Sequence, residues 1–251
     1  MKELLSLAKL AVSSASEVIL KHYDDYTVVK KEDNSPLTSA DIAANDKIFE
    51  ILGKSGIEIC SEERILDNLG SLFWLVDPID GTREFIKKNG EFCVCIALIK
   101  DGRPVLSVIS IPVTGEVFYS SGNGEVYKNG SLLTTKKSPN LAFMGRSGNS
   151  KKRERINAHF NFEPKRLGSA IKFCRLAENE GAIYARFGDS SIWDNAAGDF
   201  LVEQSGGLMI DLKTREKPLY NQKILSNNFI CLDKNNAHLK DKILEFIDAN
   251  F

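Results

Sequence analysis

Trp74-Leu75-Val76-Asp77-Pro78-Ile79-Asp80-Gly81-Thr82 is the stretch from which the rest of the chain can be read. An apolar run of strand character meets two carboxylates three residues apart and then a Gly-Thr turn. Pro78 has no N–H and a fixed φ, so the strand is expected to end there. Asp77 and Asp80 would then flank a tight turn, with the Ile79 carbonyl pointing between them. Two carboxylates and a backbone carbonyl are hard oxygen donors, the set Mg²⁺ prefers. The Gly81 and Thr82 amides open a short helix over 83–88, and such amides can cradle a phosphate oxygen. Alone, an Asp-Pro-x-Asp-Gly segment is more often a plain turn that caps a helix.

Working outward, the spacing of Leu4, Leu7, Ala8, Ala11, Val12, Ala15, Val18 and Ile19 predicts an amphipathic helix. A second helix should begin at Thr38, with Asp41 completing a shortened capping box, and stop at Gly53. Past residue 90, β-branched and aromatic runs (92–99, 105–111, 117–119, 126–127) alternate with Asp101-Gly102, Thr114-Gly115 and Asn129-Gly130 turns, the pattern of an antiparallel meander. Beyond Pro139 the rhythm alternates: a strand near Phe143, a helix from about Lys151, a strand near Arg166, a helix over 170–178, a strand at 182–185 and a helix over 193–205. Strands at 208–210 and 229–232 and a helix through Leu239, Ile243 and Phe246 close the chain. This order predicts an α/β protein of two lobes, residues 1–136 and 137–251.

Three further acidic positions stand near element ends. Ser61-Glu62-Glu63 follows a strand-like run at 57–60, Asp194 opens a helix behind Trp193, and Asp41 lies in a helix's first turn. Each has an ordinary explanation as a solvated turn or a helix cap. If the fold gathers Asp41, Glu62, Glu63, Asp77, Asp80 and Asp194, they cannot all stay ionised without cations, because like charges raise one another's pKa. Two divalent ions in such a site serve displacement at phosphorus.

Composition narrows the alternatives. With 33 Lys+Arg against 34 Asp+Glu in 251 residues, the chain has no basic surplus for sequence-independent nucleic-acid binding. No apolar run approaches a membrane span, and the N-terminus turns polar too soon for a signal peptide. Five cysteines without a CxxC pair suit buried thiols in a reducing cytoplasm. No cysteine begins a Cys-x5-Arg phosphatase motif. The P-loop pattern fails at Ile48, GxGxxG fails at Tyr127, and Gly-x-Ser-x-Gly is absent. His22, His159 and His238 have no zinc spacing. Lys151-Lys152-Arg153-Glu154-Arg155 reads as the wet face of a helix.

Taken together, Ser61-Glu62-Glu63, Asp77-Pro78-Ile79-Asp80-Gly81-Thr82 and Trp193-Asp194-Asn195-Ala196-Ala197-Gly198 resemble the three signatures of the inositol monophosphatase superfamily. Within it the resemblance is to bacterial 3′(2′),5′-bisphosphate nucleotidases. It rests also on Asp33-Asn34-Ser35-Pro36-Leu37-Thr38, Asp41-Ile42-Ala43-Ala44, Thr82-Arg83-Glu84-Phe85-Ile86-Lys87, Asn89-Gly90-Glu91-Phe92, Gly168-Ser169, Lys172-Phe173-Cys174 and Arg186-Phe187-Gly188, and covers nearly the whole chain.

The resemblance implies a layered α/β/α/β/α sandwich and a cytoplasmic, lithium-sensitive phosphatase that uses two or three Mg²⁺ ions, with Mn²⁺ as substitute. Its substrate would be 3′-phosphoadenosine 5′-phosphate, hydrolysed at the 3′-phosphate to AMP and phosphate. Glu62, Asp77 and the Ile79 carbonyl match one metal site; Asp77, Asp80 and Asp194 match another. Asp41 and Thr82 match the pair that activates water, with Glu63 behind them. Gly81 and Thr82 match the phosphate cradle, while Ser169, Lys172, Arg186 and Asp194 match contacts to the nucleotide. The chain departs from the nucleotidases at Gly145-Arg146-Ser147-Gly148, where Ser-Arg-Ser-His is usual. That departure keeps inositol monophosphate, fructose 1,6-bisphosphate and a broad set of sugar phosphates open as substrates. A non-catalytic nucleotide or metal sensor is the rival of another class. Monomer and homodimer both remain open, as does attachment to the inner face of the membrane.

Overall fold

A computed structural model of the chain describes residues 1–31, 35–146, 151–188, 190–221, 224–225 and 228–251. Asp33, Asn34, Ser147 and Gly148, singled out above, lie outside the described residues. The first amphipathic run is α1 (Lys2–Lys21), which buries Ala8, Ala11, Val12, Ala15 and Ile19 on one face. A short antiparallel hairpin of β1 (Val28–Lys30) and β2 (Pro36–Thr38) follows, which the sequence pattern did not announce. Next comes α2 (Ser39–Leu52), capped as expected by Thr38 and Asp41 and ending at Gly53. The small Ala8, Ala11 and Ala15 of α1 and Ala40 and Ala44 of α2 belong to one buried cluster, where short side chains let the two helices approach closely.

The first sheet contains β3 (Ile59–Ser61), β4 (Leu72–Asp80), β5 (Cys93–Lys100), β6 (Arg103–Ile111), β7 (Glu116–Ser120), β8 (Tyr127–Lys128) and β9 (Ser131–Leu132), in that spatial order. β3 pairs with β4 in parallel and the rest form the expected antiparallel meander. The one-turn helix α3 (Thr82–Ile86) sits between β4 and β5.

One expectation is corrected here. Pro78 does not end its strand: β4 continues to Asp80. The ladder skips there instead, Asp77 standing opposite Cys95 and Asp80 opposite Cys93. Three residue steps on β4 thus match two on β5, the signature of a bulge, which accommodates a residue with no N–H to give. In a regular strand, residues three apart point to opposite faces. The extra residue turns Asp77 and Asp80 onto the same face.

The second half supplies β10 (Leu141–Met144), α4 (Lys151–Phe160), β11 (Glu163–Arg166), α5 (Ile171–Ala177), β12 (Ile183–Arg186), β13 (Ser190–Ser191), α6 (Ile192–Gln204), β14 (Leu208–Asp211), β15 (Ile224–Leu225), β16 (Phe229–Leu232) and α7 (Lys240–Asn250). Five of these strands form a mixed sheet in the order β11-β10-β12-β16-β14, and β13 pairs with β15.

Three buried clusters define five alternating layers. α1 and α2 cover one face of the first sheet through Trp74, Val76, Val94, Ile96 and Leu98. The other face, with Phe73, Leu75, Ala97, Ile109 and Phe118, packs on α5 and α6, which in turn meet Phe143, Tyr184 and Phe229 of the second sheet. α4 and α7 close its far side through Ile156, Ile243 and Ile247. The α/β/α/β/α sandwich is therefore present. α6 is buried nearly all round because it lies between two sheets. At Gly198 it approaches α5 closely: a Cβ there would stand 2.2 Å from the Phe173 ring. No helix among the described residues is long and apolar enough to cross a membrane.

Candidate active site

The predicted acids come from four element ends that the layering brings together. Asp41 is the third residue of α2, and the Thr38 N–H donates to its Oδ2 at 2.8 Å. That leaves Oδ1 facing Thr82, whose hydroxyl lies 3.2 Å from it and 3.2 Å from the Ile79 carbonyl oxygen. One hydroxyl proton thus has two acceptors at equal distance. Asp77 is buried at the bulge, its Oδ1 accepting the Ile79 N–H at 3.1 Å. Asp80 accepts the Ala170 N–H just ahead of α5 at 2.5 Å. Asp194 is the third residue of α6, not its N-cap, and accepts the Ser191 N–H at 3.2 Å. At the end of β3, Ser61 Oγ donates to Asn45 Oδ1 of α2 at 2.8 Å, tying that strand end to the second helix. Gly81 adopts φ +96°, and a Cβ there would press on the Glu91 carbonyl and on Ser169 at 3.2 Å, so the turn needs glycine.

The electrostatics show that these acids share one field. Burial pushes Asp77 well up, and the neighbouring charges of Glu62, Asp80 and Asp194 add to it. Burial also lifts Asp80 to about 6, against the pull of Lys172 and the Ala170 N–H. Asp194 rises to about 7 through burial and then Asp80, with Arg186 opposing. Asp41 is raised by burial, offset by its bonds to Thr38. Glu63 is raised by burial too, and Lys31 pulls it back. A set of buried carboxylates that must take up protons to coexist is a set that a divalent cation would relieve. The carboxylates around Asp77 and the adjacent Ile79 carbonyl are oxygen donors of the kind Mg²⁺ takes.

Beside the acids a cavity of about 260 Å³ opens, lined by Asp80, Asp194 and Glu84 together with Lys172, Arg186, Arg146 and Arg153. Gly81 and Ser169 line it as well. Lys172 is buried, donates to the carbonyls of Leu167 (3.3 Å) and Ser169, and lies over the Tyr184 ring. Arg186 is close enough to Asp80 and Asp194 for each to sense its charge. Gly81, Ser169, Lys172, Arg186 and Asp194 thus line one cavity, and Thr82 stands next to Gly81 outside its lining.

Two participants had no clear mark in the sequence. The Lys31 ammonium bridges Glu62 and Glu63 at 2.7 Å each, a positive charge held among the acids. Arg153 belongs to the basic run read as solvated. Its neighbours Lys151, Lys152, Glu154 and Arg155 are exposed, but Arg153 turns into the cavity wall. Helical spacing from the buried Ile156 is the signal that could have separated it from the rest of the run. All five cysteines are free and buried, as expected.

Fold and cavity together define a five-layered α/β protein whose pocket carries both buried acids and basic side chains. The chain belongs to the inositol monophosphatase family, whose model matches residues 1–248. It is 37% identical over 216 residues to the 3′(2′),5′-bisphosphate nucleotidase CysQ of Escherichia coli K12, covering 79% of this chain and 86% of that protein. The CysQ of Buchnera aphidicola is 39% identical over 211 residues, covering 77% and 79%. Among solved structures, CysQ from Bacteroides thetaiotaomicron superposes with a TM-score of 0.80 at 33% identity, over 92% of this chain and 97% of that one. The suhB protein of Bartonella henselae matches the fold with a TM-score of 0.83 at 21% identity, over 99% and 100%.

Proposed function

We propose that the protein is a Mg²⁺-dependent phosphatase that removes the 3′-phosphate of 3′-phosphoadenosine 5′-phosphate, leaving AMP and inorganic phosphate. The observation that carries this reading is the two-signed cavity. A phosphate beside Asp80 and Asp194 would meet cations held there, while Lys172 and Arg186 in the same lining would receive a second phosphate on the same molecule. The kinship with relatives named 3′(2′),5′-bisphosphate nucleotidase supports it.

Glu62, Asp77 and the Ile79 carbonyl would hold one ion, and Asp77, Asp80 and Asp194 a second; a third Mg²⁺, or Mn²⁺ in place of Mg²⁺, fits the same oxygen donors. Bound there, the ions would make water a stronger nucleophile and offset charge on the leaving oxygen. Thr82 Oγ1 takes a proton from the attacking water as its own proton passes to Asp41 Oδ1, the acceptor already 3.2 Å away. Burial raises Asp41 and so makes it a better base than an exposed aspartate. Glu63 shares the Lys31 ammonium with Glu62 and so steadies that ligand. The Gly81 and Thr82 amides cradle the reacting phosphate, and Ser169, Lys172 and Arg186 hold the nucleotide. Water oxygen bonds to phosphorus, the bond from phosphorus to the 3′-oxygen breaks, and no phosphoenzyme forms. We read residues 1–136 and 137–251 as two lobes that meet at this site. Buried free thiols suit a cytoplasmic enzyme.

Phosphate release across a panel of 3′-phosphoadenosine 5′-phosphate, inositol monophosphate and fructose 1,6-bisphosphate tests the substrate. The expected result is a kcat/KM for the nucleotide about tenfold or more above the others, abolished by chelator and lowered by Li⁺. Asp77→Asn should lose about 10³-fold or more in turnover with its circular dichroism unchanged. Near wild-type rates in that variant overturn the assignment.

A further inference from the structure

The bulge that gathers the acids also places two thiols beside them. Cys93 stands across the ladder from Asp80, and Cys95 from Asp77. Being two apart on β5, both cysteines point to the same face as the acids. Their sulfurs are 3.7 Å apart. Two thiolates bound about 2.3 Å from a tetrahedral Zn²⁺ stand about 3.8 Å from each other, so the pair is already at chelating distance. Among the described residues, Asp80, Cys93 and Cys95 are the one set of three His, Cys, Asp or Glu side chains whose ligand atoms all lie within 4.8 Å of one another. The thiols are 0% and 1% exposed, and Asp80 in front of them lines the cavity. An ion would therefore reach them past Asp80.

We propose that Cys93, Cys95 and Asp80 form a soft-cation site that takes Zn²⁺ and, by claiming Asp80, switches off phosphate hydrolysis. Sulfur ligands select Zn²⁺ over Mg²⁺, which keeps to oxygen. Both cysteines bind as thiolates and their two protons pass to solvent. Two sulfurs and one carboxylate oxygen leave the fourth position to water. Neither Cys93 nor Cys95 takes part in the proposed hydrolysis, which is oxygen chemistry throughout. The inhibitory half of the proposal rests on reading Asp80 as a ligand of the phosphatase cations; the binding half does not.

The test uses the full chain in Mg²⁺-containing buffer. Co²⁺, a spectroscopic stand-in, should give thiolate-to-cobalt charge-transfer absorption that one equivalent of Zn²⁺ removes. Lack of that band in the wild type overturns the proposal without recourse to any variant. Competition against a chromophoric chelator should show Zn²⁺ binding weakened about tenfold or more by Cys93→Ser and by Cys95→Ser, and unchanged by Cys231→Ser. Melting curves of each variant establish that it is folded. One equivalent of Zn²⁺ should stop wild-type phosphate release, reversibly by chelator, and spare a Cys93→Ser/Cys95→Ser protein measured against its own Zn²⁺-free rate. Equal inhibition of both proteins overturns the thiol site. If no panel substrate turns over, the function reading fails while the cobalt band still decides the site.

Discussion

Metal-free protein should lose stability as pH rises from about 5.5 to about 7.5, and a divalent cation should restore it. Burial among other acids lifts Asp194 to about 7 and Asp80 to about 6 from an ordinary 3.8. Unfolding returns both to that ordinary value. The native state therefore keeps protons that the unfolded chain has already released. This contribution is complete below about pH 4 and is lost as pH climbs through about 6 to 7. Over the stated interval the loss comes to about 2 kcal/mol for Asp194 and about 1 kcal/mol for Asp80. Asp77 shifts in the same direction. For a chain of this size the sum corresponds to a fall in Tm of about 6–12 °C. Scanning calorimetry of chelator-treated protein at the two pH values, repeated with saturating Mg²⁺, reads this directly. Fixed cation charge replaces the protons, so the Mg²⁺ pair of melts should nearly coincide. A metal-free Tm that is level, or climbs, across the interval would refute the idea that these carboxylates crowd one another.

Three substitutions probe other parts of the molecule. Thr82→Ala should lower kcat by about 10²-fold or more at saturating Mg²⁺ with KM little changed, and an unaltered kcat would remove Thr82 from water activation. Arg103 on β6 reaches Asp199 of α6 at 2.6 Å and Glu203 at 2.7 Å. Arg103→Ala strands the buried Asp199 carboxylate and should cost about 3–5 kcal/mol in urea unfolding; a loss below about 1 kcal/mol would mean that the pair does not pin the helix. Gly198→Ala places a methyl against the Phe173 ring and should destabilise by about 1–3 kcal/mol in the same assay. Unchanged stability there would mean that α5 and α6 are not in such close contact.

Much of the scaffold was open to pattern reading because local chemistry and burial agree. The α1 stripe and the Thr38–Asp41 cap belong to helices with one buried face, while β5 and β6 read as near-continuous apolar runs because both faces of their sheet are covered. The β1–β2 hairpin escaped because Val28–Lys30 is exposed along its whole length and carries no alternation. Pro78 misled for a different reason. A missing N–H implies a break in pairing, but only the facing strand decides whether the break ends the strand or becomes a bulge. The acids themselves were visible as residue types at element ends. Their convergence depends on α6 lying between two sheets, a long-range fact that no window of sequence contains. Lys31 and Arg153 stayed hidden because a lysine or arginine beside other charges resembles any solvated residue until its neighbours are known.

The position of α6 bears on how the chain is made. During synthesis the first sheet emerges with α1 and α2 ready to shield one side. Its other side, bearing Phe73, Leu75, Ile109 and Phe118, finds its main cover only when residues 192–204 leave the ribosome. For that interval a nascent chain carries a broad sticky β-surface, the kind of intermediate that invites self-association and chaperone attention. Slow translation between the two halves should therefore burden expression more than a pause of equal length near either terminus.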